Sequence, residues 1–230
     1  MHKSLGNSRD VNAGCSYVTN VTETMVICSG CNYNNLAGLE LCAVKVSGMG
    51  AQTDEVSENA DFWNWLDEDK LHEECGVFGI FNHTDASAVA ALGLHALQHR
   101  GQEAAGIVSF DGEQFYSERR LGLVSEHFTK HPVINRLQGN CAIGHVRYST
   151  QGETVMRNVQ PLFAELASGG FALGHNGNLT NARTLRDSLI RSGAIYQSTS
   201  DTEVILHLVA RSKKTLIVER FIEALLQIEG

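Results

Sequence analysis

From Cys75 onward, short apolar runs of strand length alternate with stretches of helical spacing. GVFGIF (76–81) reads as a buried strand, and ASAVAALGLHALQH (86–99) as a helix started near Asp85. AAGIVSF (104–110), Asp111-Gly112 and EQFYS (113–117) read as a β-hairpin around a favoured turn dipeptide. CAIGHV (141–146) and GGFALGHN (169–176) are two more predicted strands, each running into polar residues at its end. A helix through Leu185 and Leu189 stops at Gly193. The next is predicted to open on a capping box, Ser200-Asp201-Thr202-Glu203, ahead of Val204, Ile205, Leu208 and Val209. Val218, Phe221, Ile222 and Leu225 then form a stripe that needs an apolar surface to cover it, so more sheet is expected past Gly230.

Residues 1–74 read differently. The first fifty are rich in Gly, Ser, Asn and Thr and show no amphipathic element, while 51–74 are acidic around Trp63 and Trp65. This stretch is expected to be a poorly ordered leader or propeptide, or an extension from a mis-assigned start. Between Thr53 and Glu74 stand nine acidic residues against Lys70 alone, enough to account for the whole net charge of −8. The remainder is balanced, without the basic stripe of a nucleic-acid binder. No apolar run spans a bilayer, and no secretory signal opens the chain. These features predict a soluble, cytoplasmic protein with neither nucleic-acid nor membrane partner. Four of the six cysteines, Cys15, Cys28, Cys31 and Cys42, fall in the first fifty residues at spacings that fit no common zinc pattern, so no metal site is expected. A zinc- or iron-binding module there is a rival that elemental analysis would settle.

Cys75 stands where an acidic run, Glu73-Glu74, meets the first strand. A cysteine freed to be the amino-terminal residue carries its own base: an α-amine titrates at about 7.7–8.0 and a thiol at about 8.5, so the two share a proton near neutrality. While Glu74 is attached, that nitrogen is an amide and accepts nothing. Taken singly, Cys75 could be a packed strand residue, Asn176-Gly177 a turn, Arg147 a surface arginine and Asp201 part of a helix N-terminus. His95, His99, His207 and Cys141 have ordinary structural readings as well.

Five segments in order, CGVFGI (75–80), QHRGQEAAG (98–106), GHVRYSTQG (144–152), HNGNLTNA (175–182) and TSDTEV (199–204), resemble the class II glutamine amidotransferase domain, an N-terminal-nucleophile hydrolase. Within that group the wording resembles the amidophosphoribosyltransferase family. It departs from the HRGYDSAG, HTRWATHG and HNGIIEN of relatives that make glucosamine 6-phosphate. The resemblance covers 75–230.

It implies an α+β fold, an αββα four-layer sandwich incomplete at its C-terminal end. It also implies Cys75 as nucleophile, freed by cutting Glu74–Cys75, with the Asn176 side chain and Gly177 N–H as oxyanion donors. Arg147 would take the α-carboxylate of glutamine and Asp201 its α-ammonium. Arg100, His145 and Tyr148 would support the pocket, and residues 148–158 would close over the substrate. Ammonia would pass to a phosphoribosyltransferase domain, whose DDSxxRG-like string does not occur in these residues, and the longer protein would be a homo-oligomer. No cofactor is expected within this chain; the family's Mg²⁺ and [4Fe–4S] cluster would be bound by residues beyond 230. Rival readings are an amidotransferase serving another acceptor and a non-catalytic fragment.

Overall fold

A computed structural model describes the backbone of residues 19–20, 23–29 and 41–42, together with residues 75–148, 154–167 and 169–230. Strands β1 (Thr19–Asn20), β2 (Glu23–Ser29) and β3 (Leu41–Cys42) are followed by β4 (Gly76–Ile80) and helix α1 (Ala86–Ala96). A 3₁₀ turn (Gln98–Arg100) leads into β5 (Ala104–Phe110) and β6 (Phe115–Leu121). Short helices α2 (Val124–His127) and α3 (His131–Ile134) precede β7 (Cys141–Arg147), β8 (Leu162–Leu166) and β9 (Gly169–Asn176). Helices α4 (Ala182–Arg191), α5 (Thr202–Arg211) and α6 (Ile217–Leu225) complete the described elements.

The strands form two antiparallel sheets. One runs β4-β7-β5-β6; the other runs β1-β2-β9-β8, with β3 also on β2. Their inner faces meet through Val77, Val108, Phe110, Ile143 and Ala172. Helix α1 covers the outer face of the first sheet with Ala86, Ala90, Ala91 and Leu94, a one-sided stripe of mostly small residues that lets the helix lie close. The approach is tight enough that a Cβ on Gly93 would fall 2.4 Å from the Phe78 ring. Helices α5 and α6 cover the second sheet, burying Val204, Ile205, Val209 and Phe221 against Phe171 and Leu173. Each such side chain contributes about 1.5–3 kcal/mol through burial. The layers are therefore helix, sheet, sheet, helix, the αββα order expected.

Local details differ from the sequence reading. The hairpin loop is four residues, not two, because the Asp111 carboxylate accepts the N–H groups of Glu113 and Gln114 at 2.8 and 2.9 Å and widens the turn. The capping box does not form: Asp201 is the N-cap, while Glu203 reaches past it to Gln197 and Ser198. The α6 stripe is Ile217, Phe221 and Ala224, turned one residue from the predicted set, and Ile222 is 47% exposed. Its cover is α5. Residues 23–29, expected to carry no element, pair with β9 from Phe171 to Asn176. The leader boundary at 74, and the side chains of the leader cysteines, lie outside the described residues. Among those described, no helix is long and apolar enough to cross a membrane, and no three His, Cys, Asp or Glu residues could share a metal ion.

Candidate active site

Cys75 immediately precedes β4, and the β4–β7 register, with Gly76 opposite Val146, carries it to the end of β7 where Arg147 and Tyr148 emerge. The Tyr148 N–H donates to Sγ at 3.3 Å. Burial pushes the Cys75 thiol above its ordinary range, while the Tyr148 N–H and the nearby Arg147 charge pull it back. A sulfur in this setting gains from a base that can take its proton, and the local N–H and guanidinium favour the thiolate once it forms.

Arg147 is 5% exposed and fixes its guanidinium by donating from Nη1 to the Asn158 carbonyl at 3.2 Å. Arg100, from the 3₁₀ turn, donates from Nε to the Cys75 carbonyl at 3.2 Å, holding the nucleophile's backbone from behind. Opposite them, β9 ends at Asn176, and Gly177 takes φ +146°, a left-handed value for which glycine is suited. Asp201 caps α5. One of its carboxylate oxygens accepts the Thr202 N–H at 2.8 Å and the other the Leu179 N–H at 2.9 Å, which fixes its orientation.

Cys75, Arg147, Tyr148, Gly177 and Asp201 line one cavity of about 210 Å³. Asn176 is not among the lining residues but stands between two that are, His175 and Gly177. Arg100 and His145 do not line it. His145 is fully buried, and its Nε2 bonds the His175 carbonyl at 3.2 Å across the two sheets, so Nε2 carries the proton. Burial, helped by Arg147, pushes its pKa down to about 3. Of the expected closing segment, residues 149–153 lie outside the described residues.

Asn158, the last residue of the expected closing segment, and several residues not predicted for the site complete its frame. Asn158 clasps Thr199, donating from Nδ2 to its hydroxyl at 2.8 Å and accepting its N–H at 2.9 Å. The Glu203 carboxylate accepts the N–H groups of Gln197 and Ser198, each at 2.8 Å, and the Ser198 hydroxyl at 2.6 Å. Arg186 lies 3.9 Å over the Tyr196 ring and donates to the Ser198 carbonyl. Together these bonds hold the 197–200 loop that presents Asp201. The arrangement pairs a thiol and a cation on one wall with a carboxylate on the other, which suits a small zwitterion carrying a reactive carbonyl.

A family profile described as a glutamine amidotransferase domain matches residues 145–225. An amidophosphoribosyltransferase of Lacticaseibacillus casei is 52% identical over 141 residues, 61% of this chain and 73% of that relative. The chain belongs to the amidophosphoribosyltransferase family. A Rhizobium etli amidophosphoribosyltransferase is 66% identical over 165 residues, covering 72% of this chain and 33% of the relative. The chain thus spans about a third of the length of that relative. Among solved structures, the glutamine phosphoribosylpyrophosphate amidotransferase of B. subtilis, complexed with ADP and GMP, superposes with a TM-score of 0.62 at 43% identity. It covers 67% of this chain, which matches 33% of its own. A structure described as the allosteric regulatory enzyme of purine biosynthesis gives 0.63 at 44%. The amidophosphoribosyltransferase fold is thus shared at an identity that supports carrying over the N-terminal-nucleophile hydrolase architecture.

Proposed function

We propose that this chain hydrolyses the side-chain amide of glutamine, with Cys75 as nucleophile once the Glu74–Cys75 bond has been cut. The observation that carries this reading is the convergence of Cys75, Arg147, Gly177 and Asp201 on one cavity. The free α-amine takes the thiol proton as sulfur attacks the amide carbon, and then passes it to the departing nitrogen, which leaves as ammonia. The Asn176 side chain and Gly177 N–H receive the developing oxyanion. Water cleaves the resulting thioester to give glutamate and restores the thiol. Arg147 pairs its planar fork with the substrate's α-carboxylate, and Asp201 holds the ammonium. Arg100, His145 and Tyr148 keep these groups in place.

In the longer protein the ammonia passes to a phosphoribosyltransferase part, displacing pyrophosphate from phosphoribosyl pyrophosphate to give 5-phosphoribosylamine, the first step of purine synthesis. Mg²⁺ and, in some members of the family, a [4Fe–4S] cluster would be held by residues outside this chain, and the assembly would be a cytoplasmic homo-oligomer. The relatives named above support the passage of ammonia to a transferase part.

Glutamate release from glutamine, measured alongside intact mass, tests the hydrolytic step. The expected result is activity only in protein whose chain begins at Cys75, abolished in Cys75→Ala with its melting transition retained. Full turnover in protein that keeps residues 1–74, or in Cys75→Ala, would refute it.

A further inference from the structure

The cavity's oxyanion wall is the end of β9, and the strand beside it stops short. Pairing between β8 and β9 ends with Leu162 opposite Leu173. Continued two residues, the register would set Gln160 opposite His175, and there the Gln160 side chain takes over from the backbone ladder. Its Oε1 accepts the His175 N–H at 2.8 Å, and its Nε2 donates to the Thr202 hydroxyl at 3.1 Å. That hydroxyl is 3.2 Å from His175 Nδ1, closing a ring through the Gln160 and Thr202 side chains and both the backbone N–H and the imidazole of His175. All three residues are buried: Gln160 is 4% exposed, His175 1% and Thr202 not at all. A buried amide with both ends engaged is held in one orientation.

We propose that Gln160 is a positioning residue for the oxyanion turn. Its carbonyl oxygen pins the peptide entering His175, and His145 pins the next peptide by donating to the His175 carbonyl. The peptide after that ends at Gly177, whose N–H is assigned above to the oxyanion. With two consecutive peptide planes fixed, the third has little freedom to swing. The Asp201 carboxylate is anchored mainly by two backbone N–H groups, those of Leu179 at 2.9 Å and Thr202 at 2.8 Å, and shares with Gln160 only the longer 3.4 Å bond from the Thr202 hydroxyl. Loss of Gln160 therefore degrades the oxyanion wall while leaving recognition of the glutamine ammonium largely in place. Gln160 also lines the cavity. Were it a direct contact to substrate, its loss would appear in KM instead.

The inference rests on the glutaminase reading, and the test separates the two. Gln160→Met, of similar length and without hydrogen-bonding groups, is compared with wild type and Gln160→Glu, which keeps an acceptor for the His175 N–H. Glutamine kcat and KM, thermal melting, and amide exchange across residues 171–178 are measured. Misplacing an oxyanion donor is costly, so kcat for Gln160→Met should fall about 10- to 100-fold with KM changed less than about threefold. Gln160→Glu should recover most of that loss, and the His175 amide should exchange faster in the Met variant. Unchanged kcat in a folded Gln160→Met, a rise in KM matching the fall in kcat, or no recovery in Gln160→Glu would overturn the proposal. Should Gln160→Met fail to melt cooperatively, Gln160→Asn, whose amide is one methylene too short to keep the 2.8 Å bond to the His175 N–H, is held to the same kcat and KM split. If wild type releases no glutamate, the functional reading fails, and the positioning role is judged on His175 exchange alone: unchanged protection in the variant sinks it.

Discussion

His145 offers a direct measurement of what the space between the sheets costs. Its imidazole is fully buried, donates to the His175 carbonyl, and has its pKa pushed down to about 3 from 6.5, so it stays neutral throughout the folded state's working range. In the unfolded chain the same ring binds a proton as pH falls through about 6.5. Between those values the unfolded state holds more protons than the folded one, so stability rises with pH across this window and is lost as pH falls. The loss approaches about 1.4 kcal/mol per pH unit and reaches about 2.7 kcal/mol by pH 4.5.

His145→Gln keeps an amide donor for the His175 carbonyl and removes the titration. At pH 7 it should be the less stable protein, by about 1–3 kcal/mol from imperfect packing and hydrogen bonding. On acidification its deficit should shrink and vanish or reverse, because only wild type pays for keeping an imidazole uncharged. Urea unfolding followed by circular dichroism at pH 7.0, 5.5 and 4.5 gives the difference directly, with the titrations common to both proteins cancelling. A gap between the two proteins that does not change with pH would show that His145 is not held neutral, and the account of the buried layer would fail.

Three further outcomes follow from particular contacts. Arg147→Lys removes the planar fork and its Nη1 bond to the Asn158 carbonyl, and should raise the glutamine KM about 10- to 100-fold with a smaller change in kcat, read from steady-state glutamate release. Gly106→Ala would place a Cβ 2.3 Å from the Gln160 carbonyl oxygen; denaturant unfolding should show a loss of about 1–3 kcal/mol, and kcat should fall with it as the Gln160 segment is displaced. Phe221→Ala empties the junction of α6 with Phe171 and should cost about 3–5 kcal/mol in the same unfolding assay.

The individual elements were legible because their periodicities are local: GVFGIF, AAGIVSF and CAIGHV each carry their own strand signal, and the α1 stripe of alanines carries a helical one, while the αββα layer order followed from the family resemblance. Cys75, Arg147, Gly177 and Asp201 could be gathered from motif order, and the structure brings them to one cavity. What escaped the reading depends on contacts between distant residues. Asn158 and Gln160 sit in a short polar segment whose partners, Thr199, His175 and Thr202, are 15 to 42 positions away. Glu203 had a plausible local use as the end of a capping box, and only the folded loop shows that two backbone N–H groups and a serine hydroxyl claim its carboxylate instead. The run Met25-Val26-Ile27 was too short to name as a strand on its own, since its partner is the free edge of β9, formed far along the chain.

That last pairing separates cutting from departure. Hydrolysis after Glu74 would sever one covalent link, yet β2 would still lie along β9 over six residue pairs, from Phe171 to Asn176. Through that pairing the excised peptide would remain seated as a non-covalent subunit. Denaturing mass analysis would register two pieces where a native measurement weighs one particle.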